Sequence, residues 1–280
     1  MRTVNAKQIS DTAAKLYAEA NFDLSKDVLS SLKAARSKET KKLSKSALDI
    51  LVKNTAIAKK ESIPLCQDTG LAVVFAEIGQ DVHVKGTGIR EAVDQGIRKA
   101  VKQSYLRASV VKSPLDRINT KDDTPAIVHI DIVPGNKIKL TVLAKGGGAE
   151  NMSALRMLKP SDGTEGIKSF VLETVRKAGP NPCPPIVVGI GIGGNFEMSA
   201  FLAKKALLRR IGSKNQDRKT AQLEKEILKE INKLDIGPSG FGGKTTGLAV
   251  HIETYPCHIA SLPVAVNIEC HSHRHRTAVI

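Results

Sequence analysis

Apolar residues near the start of the chain recur at three- and four-residue steps. ISDTAAKLYAEA and SALDILVKNTAIAKK both show this spacing, which lines one face of a helix. Residues 5–60 are therefore predicted to be helical. The period then shortens. LAVVFAEIG at 71–79 follows directly on the stretch IPLCQDTG and reads as a strand. IREAVDQGIRKAVKQS, at 89–104, returns to helical spacing. AIVHIDIV (126–133) and KIKLTVLAK (137–145) are rich in β-branched residues, and the Pro-Gly-Asn between them predicts a hairpin. A helix is expected over 163–178. PPIVVGIGIGG (184–194) reads as a buried strand, followed by a helix over NFEMSAFLAKKALLRRI. Residues 216–234 form a charged helix expected on the surface. TTGLAVHIETYP and HIASLPVAVNIEC supply two further strands. No internal repeat and no low-complexity linker interrupts this order. The expected fold class is mixed α/β, with a helical N-terminal segment packed on a mixed β-sheet flanked by helices.

The chain has 280 residues, 41% of them apolar, enough for a substantial core. A single domain over residues 1–280 is expected. The first twenty residues are charged throughout, unlike a signal peptide. No run approaches the roughly 18 apolar residues of a membrane span. The chain is expected to be cytoplasmic, with no membrane association. The net charge of +15 raises nucleic acid as a partner, but aromatic residues are only 3%, too few for base-stacking platforms. Acids are interleaved with the lysines of the helical stretches, so the charge reads as a solvated surface and no nucleic-acid partner is expected.

Polar chemistry gathers at four places. These are Cys66-Gln67-Asp68-Thr69-Gly70, the Lys145 to Asn151 segment KGGGAEN, the loop Asn181 to Pro185 (NPCPP) leading to Gly189–Gly194, and Cys257-His258 leading to Cys270-His271. Gly189, Gly191 and Gly194 fit the G-x-G-x-x-G spacing of a dinucleotide site, but no acid stands at a following strand end to bind a ribose. GFGGKTT (240–246) fails the phosphate-loop spacing because Pro238 stands where the first glycine is needed. Tight turns and close backbone approach are the plainer reading of these glycines, and successive amides there could also cradle a carboxylate.

None of the four cysteines, Cys66, Cys183, Cys257 and Cys270, is spaced as CxxC, so a zinc ribbon or thioredoxin motif is absent. Singly, each reads as a small buried apolar residue. Together, Cys66, Cys183 and Cys270 lie beside turns and polar loops and suggest soft-metal ligands. Three thiolates are one short of the four that usually hold a 4Fe-4S cluster. One iron would then be open, as Lewis-acid catalysis requires.

IPLCQDTG, YLRASVV, AKGGGAENMSALRML, GPNPCPPIVVGIGIGG, IGPSGFGGKTT, YPCHIASLPVAV and NIECHSHRHR resemble, in order, the signature segments of the class I iron–sulfur fumarate hydratases and the related L-tartrate dehydratases. The resemblance runs over about residues 40–276. It implies an α subunit, or N-terminal half, whose pocket a separate β subunit completes, in an α2β2 assembly. It implies a 4Fe-4S cluster with one iron not ligated by cysteine, held by Cys66, Cys183 and Cys270, with Cys257 outside the set. It implies contacts to a small dicarboxylate from Gln67, Asp68, Arg107, Gly147, Gly148 and His258, with Asp68 and His258 in catalytic roles. The implied reaction is the interconversion of fumarate and (S)-malate, with L(+)-tartrate dehydration as the alternative. The first forty residues carry none of these motifs.

Overall fold

The helical spacing at the front of the chain becomes three helices, in a computed structural model that describes residues 1–280. A short strand precedes them. In chain order the elements are β1 (Arg2–Asn5), α1 (Ala6–Phe22), α2 (Lys26–Lys38), α3 (Lys42–Glu61), β2 (Leu71–Gly79), β3 (Val82–Lys85), α4 (Ile89–Gln103), β4 (Ile127–Val133) and β5 (Ile138–Lys145). Then follow α5 (Gly147–Glu150), β6 (Ala154–Leu158), α6 (Gly163–Ala178), β7 (Ile186–Gly193), α7 (Phe196–Ala206), α8 (Arg218–Lys233), β8 (Gly247–Tyr255), β9 (Leu262–Glu269) and β10 (His275–Val279). The mixed α/β class expected from the sequence is the one observed. The chain divides into two compact units. One contains Met1–Ser25, Thr55–Gly147 and Arg274–Ile280, the other Lys26–Asn54 and Gly148–His273.

In the first unit a four-stranded sheet runs in the order β10-β5-β2-β4. Helix α1 starts at a capping box: the Asn5 side chain accepts from the Lys7 amide, and the Gln8 side chain accepts from the Asn5 amide. Its apolar residues Ile9, Leu16 and Tyr17 join Val93 and Ile97 of α4 and Val74, Leu140 and Val142 of the sheet in one core. Helices α1 and α4 cross closely because α4 carries Gly96, where a Cβ would lie 2.4 Å from the Ser10 carbonyl oxygen.

The predicted hairpin is not formed. β4 pairs parallel with β2, and β5 pairs antiparallel with β2 on its other side. The Pro134-Gly135-Asn136 turn therefore passes over the end of β2. There Gly79 N donates to the Lys137 carbonyl and Gln80 N to the Val133 carbonyl. A Cβ on Gly79 would lie 2.3 Å from the Gly135 oxygen. The turn chemistry was legible, but β2, almost entirely buried, is the more apolar strand and takes the place between the two.

The second unit has a four-stranded sheet in the order β6-β9-β7-β8. Val188 and Ile190 of β7 face a core built with Phe170 and Val171 of α6 and Ile227 and Ile231 of α8. Helix α8 is thus half-buried rather than wholly exposed. The other face of β7 carries Gly189 and Gly191, whose added Cβ atoms would lie 2.2 Å from the Ala203 oxygen and 2.0 Å from the Ser199 oxygen of α7. The G-x-G-x-x-G spacing therefore serves close packing of a helix on a strand. Helix α7 stops at Ala206, short of the 211 expected. The GFGGKTT loop closes on an internal carboxylate. Glu39, 3% exposed, accepts from the amides of Thr40, Lys41 and Lys244.

Candidate active site

In the first unit, the loop from Cys66 to Gly70 leads into β2, and its backbone is held from three sides. Tyr17 of α1 donates its hydroxyl to the Gly70 carbonyl at 2.6 Å. The Leu65 amide donates to the Asn21 carbonyl at 2.8 Å. Arg274, 1% exposed, donates through Nη1 to the Asp68 carbonyl at 2.7 Å and to Asn21 Oδ1 at 3.0 Å. Burial raises the Tyr17 phenol far above its ordinary pKa, so it stays a donor at any working pH.

The Asp68 carboxylate ties two motif segments together. Its Oδ1 accepts from the Gly70 amide at 3.0 Å and its Oδ2 from the Gly147 amide at 2.8 Å. The Thr69 hydroxyl donates to the Arg107 carbonyl at 2.6 Å, which seats the Arg107 segment beside the same loop. Within this unit Cys66, Gln67, Asp68, Arg107 and Gly147 are therefore brought together. Gln67 folds back on its own loop, where Oε1 accepts from the Asp68 amide and from the Cys66 thiol, each at 2.9 Å. Arg107 itself is exposed. The segment after it is pinned by Asp123, fully buried, which accepts from the amides of Ser109 and Val110. Burial raises the Asp123 carboxyl above the usual carboxylate range, against the two amides that lower it.

In the second unit, Cys183 precedes β7 and Cys270 follows β9. These strands are antiparallel, with Val187 opposite Glu269, so both thiols stand at one end of the sheet. His271 fastens the two loops. Its amide donates to the Cys183 carbonyl at 3.3 Å and its Nδ1 lies 2.9 Å from the same oxygen. Cys183 has a φ of 55°, a left-handed conformation uncommon for a residue with a side chain. Gly148 adjoins this loop, since a Cβ there would lie 3.7 Å from the Asn181 oxygen. Glu150, two residues on, pairs with Lys204 and accepts from Asn267 Nδ2 at 2.9 Å.

Cys257 and His258 lie in the turn before β9, at the opposite end of that strand from Cys270. Eight strand residues intervene, about 26 Å at 3.3 Å per residue. The Cys257 thiol donates to the Ser261 carbonyl. His258 Nδ1 accepts from the Ala260 amide at 3.2 Å. The second unit therefore brings Cys183, Cys270 and Gly148 to one end and leaves His258 at the other.

The donor set fits an iron–sulfur cluster in its chemistry. Cys66, Cys183 and Cys270 form no disulfide and are half-buried or exposed, on loops at strand ends. No three His, Cys, Asp or Glu side chains converge on a single metal ion. A cluster differs in its demand, because each thiolate goes to a separate iron. A cavity of 650 Å³ runs along β8, with His251, Lys214, Arg218 and Lys225 in its wall, and contains none of the predicted site residues.

Tyr17, Asn21 and Arg274 hold the Cys66–Gly70 loop in place and are residues that the sequence did not single out. The first two belong to the helix that carries no motif. Arg274 lies inside the HSHRHR segment, where nothing separates a buried arginine from an exposed one. No helix is long and apolar enough to cross a membrane.

The sequence model of the fumarate hydratase (Fumerase) family matches residues 10–279. A protein of Methanocaldococcus jannaschii, provisionally named L(+)-tartrate dehydratase subunit alpha, is 47% identical over 273 residues, covering 95% of each chain. The L(+)-tartrate dehydratase subunit alpha of Escherichia coli K12 is 32% identical over 277 residues, covering 98% of this chain and 91% of the relative. The chain belongs to the fumarate hydratase family of hydro-lyases.

Proposed function

We propose that this chain is the α subunit of an iron–sulfur hydro-lyase acting on a four-carbon 2-hydroxydicarboxylate, with residues 1–280 working as one catalytic module. The observation that carries this reading is the tie made by Asp68, which joins the cysteine loop to the glycine loop at 2.8 Å beside the Arg107 segment. When bound by Cys66, Cys183 and Cys270, a 4Fe-4S cluster with one open iron supplies the Lewis acid that makes hydroxide a better leaving group.

The chain's own residues do the rest. As a thiolate ligand Cys66 would no longer donate to Gln67 Oε1, which would keep the Asp68 amide. Arg107 presents a planar fork suited to a carboxylate. The Gly147 amide is occupied by Asp68, so Gly148 is the better donor to a second carboxylate. Each Asp68 oxygen accepts one amide and keeps a lone pair, with which it can take or orient the proton on the carbon next to the one that bears the departing hydroxyl. His258 reads as a substrate contact by resemblance; β9 separates it from Cys270, and no step is assigned to it. A β subunit supplies the remaining donors, in a symmetric α2β2 assembly.

Two substrates fit this chemistry. The family's name favours (S)-malate and fumarate. The names of the two relatives favour L(+)-tartrate, whose dehydration gives the enol of oxaloacetate. The experiment is anaerobic turnover of both substrates by the iron-loaded complex with its β subunit. Efficient turnover of one is expected. Asp68→Asn, which can keep only one of the two amide bonds, should lower it by about 10²–10⁴-fold. No turnover of either substrate by a fully loaded complex would end the reading.

A further inference from the structure

Strand β4 is an edge of the first unit's sheet, and its open side is only partly covered. Val133 directs its carbonyl to Gln80, so odd-numbered residues face β2. Ala126 directs its amide outward to Asp94 of α4, and Val128 its carbonyl outward to Arg90, each at 2.8 Å. Even-numbered residues thus face away from the sheet, and α4 caps the first two. Further along, Ile130 and Ile132 direct their backbone groups outward with no such cap. The side chains of Ile127, Ile130 and Ile132 are 46%, 40% and 63% exposed. β8 holds the same edge position in the other sheet and is capped by its own chain at both ends. Gly247 bonds Asn232 through its amide and carbonyl, and Ile252 bonds Glu224 and Asn215. An apolar, open edge is a template for another strand.

The sequence of β4 says which strand. Ile127-Val128-His129-Ile130-Asp131-Ile132-Val133 reads nearly the same in both directions. Laid antiparallel on itself about Ile130, it sets Ile127 against Val133, Val128 against Ile132, and His129 against Asp131. Ile130 then forms the central hydrogen-bonded pair with its own copy, and at the two Val128–Ile132 pairs the Val128 carbonyl, which already accepts from Arg90, takes the Ile132 amide on its second lone pair. Moving the register by two residues would oppose Asp131 to Asp131, which is unfavourable. Moving it by four would oppose Ile130 to Pro134, which has no amide to give. The His–Asp complement selects the first register.

We propose that β4 pairs antiparallel with β4 of a second copy of this chain about a two-fold axis at Ile130, joining two four-stranded sheets into one continuous sheet. This rests on the edge and not on the catalytic reading. The test uses sedimentation velocity on the purified full chain and on its complex with the β subunit. Ile130→Cys is expected to form a 130–130 disulfide, identified by peptide mass, since hydrogen-bonded pairs stand about 5.5 Å apart at Cα. Asp131→Lys is expected to weaken the dimer about tenfold, with the melting temperature of the monomer unchanged. His129→Asp should weaken it similarly, and the double swap His129→Asp/Asp131→His should restore it. The proposal is overturned by α chains that do not pair in either preparation, by pairing indifferent to Asp131→Lys, or by absence of the 130–130 link. An edge protected only by the β subunit overturns it equally.

Discussion

In the first unit the central strand β2 runs parallel to the edge strand β4 and antiparallel to β5, which in turn pairs antiparallel with β10. In the second unit β7 runs parallel to β8 and antiparallel to β9, which pairs antiparallel with β6. The strand plan is the same. Helices carry the chain from the central strand to its parallel neighbour in both, through α4 in one and α7 and α8 in the other. A turn then crosses the end of the central strand. A Cβ on Gly79 would meet the Gly135 oxygen at 2.3 Å, and one on Gly193 would meet the Tyr255 oxygen at 1.9 Å. Even the histidines correspond: His129 stands opposite Phe75 and His251 opposite Gly189, each four residues before the strand's last pair. No sequence repeat accompanies this, because the side chains that fill the two plans differ. What recurs is the placing of chemistry: Cys66 and Cys183 each stand in the loop that enters a central strand.

The differences show what each sheet must do besides. β2 has side chains on both faces, whereas β7 alternates apolar residues with Gly189 and Gly191 to admit α7. The largest expected effect therefore belongs to the second sheet. Gly191→Val should cost more than about 3 kcal/mol in urea unfolding, since the α7 backbone must move. Ala76→Val, in the first sheet, should cost less; equal costs would remove the distinction. His251 comes next. Burial first, and then Arg209, lower its pKa to about 4. The folded state therefore binds fewer protons than the unfolded one below pH 6.5. The stability is fully present above that pH and is lost as the pH falls toward 4, by about 3 kcal/mol. His251→Gln should flatten this slope in thermal melts between pH 7 and 4.

A smaller effect is expected from Tyr17→Phe, which leaves the Gly70 carbonyl without its donor and should cost about 1–2 kcal/mol. Hydrogen exchange at the Cys66–Gly70 loop should rise while exchange in β7 does not. The smallest effect is expected at the exposed pair Arg36–Asp49, 2.7 Å apart, where Arg36→Met should change stability by under about 1 kcal/mol.

The strand at 71–79 is legible because Val73, Val74, Phe75 and Ile78 form a short stretch of β-formers punctuated by Gly70 and Gly79. The short strands β3, β6 and β10 are not, because they are half-exposed and only four or five residues long. The Pro-Gly-Asn turn predicts a hairpin because turn chemistry is local, whereas the insertion of β2 between β4 and β5 depends on a segment distant in sequence. In the candidate site, the loops at Cys66, Cys183 and Cys270 were visible from their motifs. The distance that β9 puts between His258 and Cys270 is a matter of strand direction. Arg274 and Tyr17 act through backbone carbonyls, which leave no pattern in side-chain spacing.

Iron and acid-labile sulfide, measured per chain after anaerobic reconstitution, test the central claim most directly, with the visible spectrum recorded alongside. Cys66→Ser, Cys183→Ser and Cys270→Ser should each lose the cluster, while the wild type and Cys257→Ser should each take up about four irons per chain. A full cluster in Cys183→Ser, or a wild-type chain that takes up only zinc, would contradict the account.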